Sequence, residues 1–269
     1  MPDSEIIFIS DIHDPQAAVF AGLTEKQLLN RRHPDKGIFI AESPNVISLA
    51  LDAGCVPISI LCAQRHIRGK AAELIARCGV PVITAQDNVL QALTGYALTR
   101  GILCAMRRPR MLTPDEVCQN AHRLAFLYDL TDASNVGAVF RSAAALGYDG
   151  ILLSASCCDP LGRKSVRVSM GTVFRIPWCR MNANWPDALH QYGFTSAAMA
   201  LTAKSLDMDD PMLESADKLA LMLGSEGYGL PDDVIDLCDF TVRIPMASGV
   251  DSLNVAAAAA VAFWQTRRR

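Results

Sequence analysis

Three short segments combine polar side chains with glycines in a way that could support chemistry, and each follows an apolar run typical of a β-strand. The first places Asn135 and Arg141 six residues apart, at the start and in the second turn of one predicted helix, with Gly137 allowing close backbone approach. An amide can orient a polar substrate, and a guanidinium can bind a phosphate or polarise a hydroxyl. For this segment alone a structural role fits equally well, with Asn135 capping the helix and Arg141 on its surface.

The second segment, Leu221–Pro231, is a glycine-rich loop around Glu226. Its glycines follow the order Gly-x-x-Gly-x-Gly, which differs from the Gly-x-Gly-x-x-Gly of dinucleotide-binding proteins, and the sequence has no Gly-Lys-Ser/Thr phosphate loop. A nicotinamide-dependent dehydrogenase is therefore disfavoured. Read alone, the loop also fits a flexible connection that exposes backbone N–H groups.

The third segment, Ile244–Val255, leads into an unusually apolar helix predicted over about 252–267. Ser252 is the expected N-cap, and the helix N-terminus behind it could hold the polar edge of a ligand through free N–H groups. A plain structural cap is the alternative. Because open α/β sheets bind ligands at the carboxyl ends of their strands, we expect the three loops to share one site.

Two α/β domains in series must position these loops, since apolar runs alternate with helical patterns along the whole chain. The polar, proline-bearing stretch Arg107–Glu116 marks the boundary, which predicts domains at 1–110 and 111–269. Capping boxes predict helices beginning after Thr24 and Thr113. The predicted strands are Gly37–Ala41, Pro57–Cys62, Val80–Thr84, Gly101–Met106, Arg123–Tyr128, Gly150–Ser154, Val173–Trp178, Phe194–Leu201, Lys218–Leu223 and Phe240–Ile244.

Composition excludes several classes of protein. The chain has 269 residues, of which 51% are hydrophobic and 20% charged, so it can bury an ordinary core. It has no apolar stretch of membrane-spanning length and no basic, apolar leader, so we expect a soluble cytoplasmic protein. Nine cysteines without Cys-x-x-Cys spacing and five scattered histidines favour reduced thiols and predict no metal site.

Basic residues cluster in the first 110 residues, which carry net charge +2, while the remainder carries −5. Because the whole chain is mildly acidic, nucleic-acid contacts would have to come from local clusters. Each cluster by itself also fits a solvated face. The candidate phosphate-binding residues are Arg31, Arg32, Arg65, Arg68 and Lys70.

Together and in this order, the three segments resemble the three motifs of the SpoU (TrmH-type) branch of the SPOUT RNA methyltransferases. The resemblance covers residues 123–265, more than half of the chain, and follows the patterns Asn-x-Gly-x-x-x-Arg, Leu-Gly-x-Glu-x-x-Gly-Leu and Pro-Met-x-Gly-x-x-x-Ser-Leu-Asn. The chain departs from these patterns at Ala133, where a proline is common, and at Ser248, where a glycine is usual. The matching residues are Asn135, Gly137, Arg141, Leu223, Gly224, Glu226, Gly229, Leu230, Pro245, Met246, Ser252, Leu253 and Asn254.

The resemblance implies a C-terminal trefoil-knotted α/β methyltransferase domain that acts as a homodimer. It also implies S-adenosylmethionine as methyl donor, a ribose 2′-hydroxyl as acceptor, and a smaller N-terminal α/β domain, similar to a ribosomal protein, that binds the RNA substrate. Catalytic roles carry over to Asn135, Arg141, Glu226, Ser252 and Asn254. Donor binding is expected from the backbones around Leu223, Gly224, Ile244, Met246 and Leu253.

Two questions stay open at this point. The N-terminal domain favours ribosomal RNA as substrate, while a tRNA 2′-O-methyltransferase and a non-catalytic RNA-binding or ribosome-assembly protein are the alternatives. Arg141 is expected either to activate the ribose hydroxyl or, because a guanidinium is a poor base, to hold a neighbouring phosphate and polarise that hydroxyl.

Overall fold

The chain folds into two compact units. The computed structural model describes residues 5–21, 23–30, 32–69, 71–94, 101–249 and 252–268. The first unit comprises Met1–Arg110 together with Leu161–Phe174, and the second comprises Met111–Pro160 and Arg175–Arg269. The sequence boundary after residue 110 had placed residues 161–174 in the second domain, whereas they pack within the first unit.

Contacts inside the first unit explain the position of residues 161–174. The backbone N–H of Arg163 donates to the Glu25 carboxylate, at 3.1 Å between nitrogen and oxygen. The ring of Phe174 packs on that of Phe39, with centroids 5.2 Å apart. Gly171 has a φ of +82° and lies so close to Leu49 that a Cβ atom would be 3.0 Å from its side chain. This segment is therefore part of the first unit's core.

The described residues form twelve strands in two sheets. The first unit has the order β1-β4-β3-β5-β2, in which β5 is antiparallel to its neighbours, and the second has the all-parallel order β10-β12-β9-β11-β6-β7-β8. The strands are β1 (Ile6–Phe8), β2 (Ile38–Glu42), β3 (Pro57–Cys62), β4 (Val82–Thr84), β5 (Ile102–Arg107), β6 (Arg123–Leu127), β7 (Gly150–Leu153), β8 (Trp178–Arg180), β9 (Thr195–Met199), β10 (Leu206–Asp207), β11 (Leu219–Leu223) and β12 (Phe240–Arg243).

Helices cover both sheets, and none in the described part of the chain is long and apolar enough to span a membrane. Short 3₁₀ helices occur at Pro15–Ala17, Pro34–Lys36 and Thr172–Phe174. The α-helices are α1 (Ala18–Ala21), α2 (Glu25–Leu29), α3 (Pro44–Asp52), α4 (Gln64–Ile67), α5 (Ala72–Cys78), α6 (Asp87–Thr94), α7 (Pro114–Cys118), α8 (Ala133–Ala145), α9 (Arg163–Val168), α10 (Trp185–Gln191), α11 (Pro211–Ser215), α12 (Asp232–Asp236) and α13 (Val255–Thr266).

Local sequence signals set several of these boundaries. Both capping boxes form, with Thr24 and Thr113 accepting from the backbone N–H three residues ahead. The predicted strand Val173–Trp178 is wrong: a 3₁₀ helix occupies Thr172–Phe174, and β8 begins only at Trp178. Proline at 177 cannot donate to a ladder, and the residues up to Phe174 belong to the first unit instead.

The second unit's core is made by strands that are buried on both faces. All five residues of β6 and all five of β11 are buried, as expected for the centre of a parallel sheet.

Seven of the nine cysteines of the chain are buried. Burial raises the pKa of Cys62 and of Cys179 to about 12, so these thiols stay protonated and act as packing groups.

Candidate functional site

A cavity of about 590 Å³ opens at the carboxyl edge of the second unit's sheet. Its walls come from the segments that follow β9, β11 and β12 and from the first turn of α13. The five residues expected to bind a cofactor all line it. The lining residues are Met199, Ala200, Leu201, Thr202, Leu223, Gly224, Ser225, Glu226, Tyr228, Gly229, Leu230, Asp232, Ile235, Val242, Arg243, Ile244, Met246, Ser252, Leu253, Asn254, Val255 and Ala258.

The glycine-rich loop forms one wall and is closed by its own backbone. Ser225 and Gly229 exchange two backbone hydrogen bonds, at 2.9 and 3.1 Å. The two arms touch so closely that a Cβ atom on Gly224 would lie 2.3 Å from the carbonyl carbon of Gly229. Leu223 and Leu230 are buried at the base of the loop. The loop is therefore not a flexible connection, because its two arms are hydrogen-bonded to each other and both begin at buried leucines.

The N-termini of α8 and α13 meet beside the cavity. The N-cap of α13 is Asn254 and not Ser252 as expected: its side chain accepts from the N–H of Ala256 at 2.9 Å. This bond fixes which end of the Asn254 amide is oxygen, and Nδ2 then donates to Oδ1 of Asn135 at 3.2 Å. The helix begins at Val255, three residues later than predicted, because Asn254 supplies the cap.

Asp132, which the sequence analysis did not single out, is the N-cap of α8. Its carboxylate accepts from the backbone N–H groups of Ser134 at 2.6 Å and Asn135 at 3.1 Å. Asn135 therefore does not cap its own helix and keeps its side chain for Asn254. An aspartate three residues before Asn135 was a detectable capping signal.

The structure brings together four of the five expected catalytic residues. Glu226, Ser252 and Asn254 line the cavity and are exposed to solvent, and Asn135 joins them through its bond to Asn254. Arg141 is different. Its exposed side chain does not contribute to the described lining of the cavity. Because α8 begins at Ala133, Arg141 lies in its third turn, about 9 Å along the helix axis from Asn135.

The described candidates for phosphate binding in the first unit lie at two ends of its sheet. Arg31 and Lys70 are outside the described residues, and Arg32, Arg65 and Arg68 are exposed. Arg32 precedes β2, and the first residue of β2 pairs with the last residue of β5. Arg65 and Arg68 follow β3, and the last residue of β3 pairs with the first residue of β5. Arg32 and the other two residues therefore lie at opposite ends of β5. The three described candidates therefore do not form one cluster on the sheet.

The two ends of the first unit's sheet differ in the charged groups around their arginines. Arg107 and Arg108 extend the end that carries Arg32, and Arg108 donates to the carbonyl of Ile38 at 3.2 Å. At the other end, the guanidinium of Arg65 donates to both carboxylate oxygens of Asp87, at 2.6 and 2.8 Å. Part of the positive charge at that end is therefore already neutralised.

The cavity is lined by both apolar and polar side chains, which suits a small molecule that has apolar and polar parts. Leu223, Ile235 and Ala258 supply apolar surface, while Glu226 and Asp232 supply carboxylates. Arg243 also lines the cavity, and its Nε donates to Asp207 at 2.7 Å. The end of β9 and the residues after it, 199–202, were not expected at the site because they contain no motif. Within the described residues, no group of three or more His, Cys, Asp or Glu side chains is arranged to hold a metal ion.

A parallel α/β sheet whose strand-end loops enclose such a cavity defines a ligand-binding α/β protein of the kind that carries enzymes. Its sequence places it more narrowly. Residues 123–264 match the model of the SpoU rRNA Methylase family, and the chain belongs to that family.

The relatives of this chain are named as methyltransferases. It is 33% identical over 268 residues to an uncharacterized tRNA/rRNA methyltransferase of Mycobacterium tuberculosis, covering 97% of this chain and 92% of that one. It is 29% identical over 240 residues to a 23S rRNA (uridine(2479)-2′-O)-methyltransferase of Streptomyces viridochromogenes, covering 87% and 83%. The crystal structure of an rRNA methyltransferase from Sinorhizobium meliloti matches with a TM-score of 0.80 and 25% identity over 98% of both chains.

Proposed function

We propose that this protein methylates a ribose 2′-hydroxyl of ribosomal RNA, with S-adenosylmethionine as the methyl donor. The observation that carries the proposal is that the second and third motif segments line one cavity, while the first is joined to them by the bond between Asn254 and Asn135. The Streptomyces relative is named as a 23S rRNA 2′-O-methyltransferase, which supports the ribose 2′-oxygen as the methyl acceptor and rRNA as the class of substrate. The same chemistry on tRNA is the alternative within the family.

The residues around the cavity fit the proposed donor. Its volume falls within the roughly 300–1,000 Å³ typical of small-molecule sites. The apolar side chains would pack on the adenine, and backbone groups of the surrounding loops would bind the polar edges of the nucleoside. S-adenosylmethionine supplies a methyl group activated by a positively charged sulfur. The residues that would hold it are Leu223, Gly224, Ile244, Met246 and Leu253.

Transfer requires the ribose oxygen to approach the methyl carbon in line and to lose its proton. In such a transfer the 2′-oxygen would take the methyl group while the carbon–sulfur bond broke with its electron pair on sulfur, and the hydroxyl proton would pass to solvent water, to which the residues of the site are exposed. Asn135, Glu226 and Asn254 would orient the ribose and the loops around it. Arg141 would bind the adjacent phosphate and polarise the hydroxyl, since a guanidinium remains protonated at neutral pH.

The proposal includes a homodimer with shared sites. Arg141 is exposed and lies outside the cavity wall of its own chain, so an Arg141 side chain delivered by a second copy would complete the site. The apolar helix α13 leaves Val261 44% and Trp264 58% exposed, and a symmetric partner would cover this face. The trefoil-knotted path implied by the family resemblance is also part of the proposal.

The proposal assigns RNA binding to the first unit. Exposed Arg32 shares one end of the sheet with exposed Arg107, whereas at the other end Arg65 is paired with Asp87. A basic surface of this kind binds phosphates without reading sequence. It would hold a large structured RNA while the second unit carries out the reaction.

The test is transfer of labelled methyl from S-adenosylmethionine to purified rRNA and tRNA from cells that lack this protein. We expect label in rRNA, and none with the Arg141→Ala variant. Label in tRNA alone would support the alternative substrate. Measurable donor binding without label in either RNA would call for ribosomal particles as substrate in the same assay. Absence of both donor binding and transfer would favour a non-catalytic RNA-binding protein.

A further inference from the structure

Tyr228, at the tip of the glycine-rich loop, has an exposure that the fold does not explain. The residue is 97% exposed, so its ring makes almost no contact with the rest of the described chain. It nevertheless contributes to the cavity and lies two residues from Glu226. Aromatic rings are enriched where proteins bind partners, because they provide a large contact area with few rotatable bonds.

The loop presents this ring on a rigid support. The two backbone hydrogen bonds between Ser225 and Gly229 close a turn whose tip is residues 226–228. The base of the loop is fixed in the core, with Leu223 1% and Leu230 5% exposed. A ring held in this way loses little backbone freedom when a partner binds it, which favours affinity.

We propose that Tyr228 is a stacking surface for an unpaired RNA base beside the ribose that is methylated. This inference rests on the proposed function and adds a residue that positions the substrate. A ribose within a regular helix offers its 2′-hydroxyl only across the shallow minor groove, so in-line approach to a donor in a cavity favours a nucleotide outside the stack. A displaced base needs a flat partner, and an aromatic ring provides one for any base.

The chemistry around Tyr228 favours a base over other ligands. Glu226 and Asp232 are acidic, which disfavours direct contact with an RNA phosphate near the ring. A ring that clamped the adenine of the donor inside the cavity would be covered by the cavity walls. The observed 97% exposure instead leaves the face of Tyr228 open to a partner that arrives from solvent.

Binding experiments can test this without any turnover. The probes are a short fluorescent single-stranded oligoribonucleotide and the same strand in a duplex, titrated with the full chain in the presence of S-adenosylhomocysteine, the donor without its methyl group. We expect Tyr228→Ala to weaken single-strand binding roughly 5- to 100-fold, the usual range for one base–aromatic stack. Tyr228→Phe should bind as the unchanged protein does, because stacking uses the ring and not the hydroxyl.

Two controls separate stacking from other effects. Met212→Ala removes a 49% exposed apolar side chain elsewhere in the second unit and should leave single-strand affinity unchanged. Calorimetry with S-adenosylmethionine should give the same dissociation constant for Tyr228→Ala as for the unchanged protein. If the proposed methyl transfer fails while single-strand binding still depends on the ring, the proposed function is refuted and Tyr228 remains a stacking surface for an unpaired base without a methylated ribose beside it.

Four results would each overturn the inference. The first is equal single-strand affinity for Tyr228→Ala and the unchanged protein, and the second is a Tyr228→Phe variant that binds as weakly as Tyr228→Ala. The third is an unchanged protein that does not prefer the single strand, and the fourth is a loss of donor affinity in Tyr228→Ala that matches its loss of RNA affinity. The last result would assign the ring to the donor instead.

Discussion

Asn254 donates a hydrogen bond from Nδ2 to Oδ1 of Asn135, at 3.2 Å, and so connects the N-termini of two helices that are 119 residues apart in the chain. The same Asn254 side chain caps α13 through the N–H of Ala256. One amide therefore has two tasks that require its two different ends. The hydrogen bond links the first and third motif segments, and substitutions of Asn254 can test what each of its two contacts contributes.

Replacing Asn254 by aspartate separates the two tasks. Asn254→Asp keeps an oxygen for the N–H of Ala256 but places a carboxylate oxygen against Oδ1 of Asn135. We expect little loss of stability, because aspartate is as good an N-cap as asparagine, and a clear loss of methyl transfer. Asn254→Ala should lose both the activity and about 1 kcal/mol of unfolding free energy. Full activity in Asn254→Asp, measured beside urea denaturation, would contradict the role given to the contact.

The glycine-rich loop offers a matched pair of substitutions. A Cβ on Gly224 would lie 2.3 to 2.4 Å from backbone atoms of Gly229 and Leu230, whereas a Cβ on Gly227 would meet nothing within 4 Å. Gly224→Ala must therefore open the loop, and we expect its dissociation constant for S-adenosylmethionine to rise at least roughly tenfold, or about 1.4 kcal/mol. Gly227→Ala should bind the donor normally in calorimetry. Similar donor affinity for the two variants would show that loop closure does not shape the cavity.

Arg123 anchors the end of α13 that lies away from the cavity. It is only 5% exposed and donates to the carbonyls of Thr266, His122 and Asp217, at 2.6 to 3.0 Å. We expect Arg123→Met to lower the unfolding free energy by roughly 1–3 kcal/mol or more, since buried carbonyls lose their donors. Urea denaturation is the measurement.

The control for Arg123 is Arg77→Met, which breaks an exposed ion pair with Asp52. That change should cost no more than about 1 kcal/mol. An equal loss of stability in the two variants would mean that the carbonyl contacts of Arg123 contribute little.

The two ends of the first unit's sheet should differ in RNA binding. We expect Arg32→Ala with Arg107→Ala to weaken rRNA binding and to lower the slope of log affinity against log salt, because fewer counterions are released. Arg65→Ala with Arg68→Ala should change the slope less, since Arg65 is already paired with Asp87. Donor affinity should stay constant in both. An identical salt slope in the two double variants would remove the distinction between the ends.

Much of this arrangement was predictable from the sequence because local signals set it. Capping boxes at Thr24 and Thr113 and the continuous apolar runs of β6 and β11 determine helix starts and buried strands without tertiary information. The cap of α13 was missed because Ser252 and Asn254 are both good N-caps, and the choice depends on the Asn135 contact. The packing of residues 161–174 in the first unit was also missed, since it depends on distant partners such as Phe39.

The position of the methyl group on the RNA decides whether this protein is a ribose 2′-O-methyltransferase. Labelled rRNA from the transfer reaction would be digested to nucleosides, and the product identified by mass spectrometry and by resistance of the adjacent bond to alkali. We expect a single 2′-O-methylnucleoside, absent with Arg141→Ala and partly retained with Arg141→Lys if Arg141 binds a phosphate. Methyl label on a base, or 2′-O-methylation that survives Arg141→Ala unchanged, would contradict this expectation.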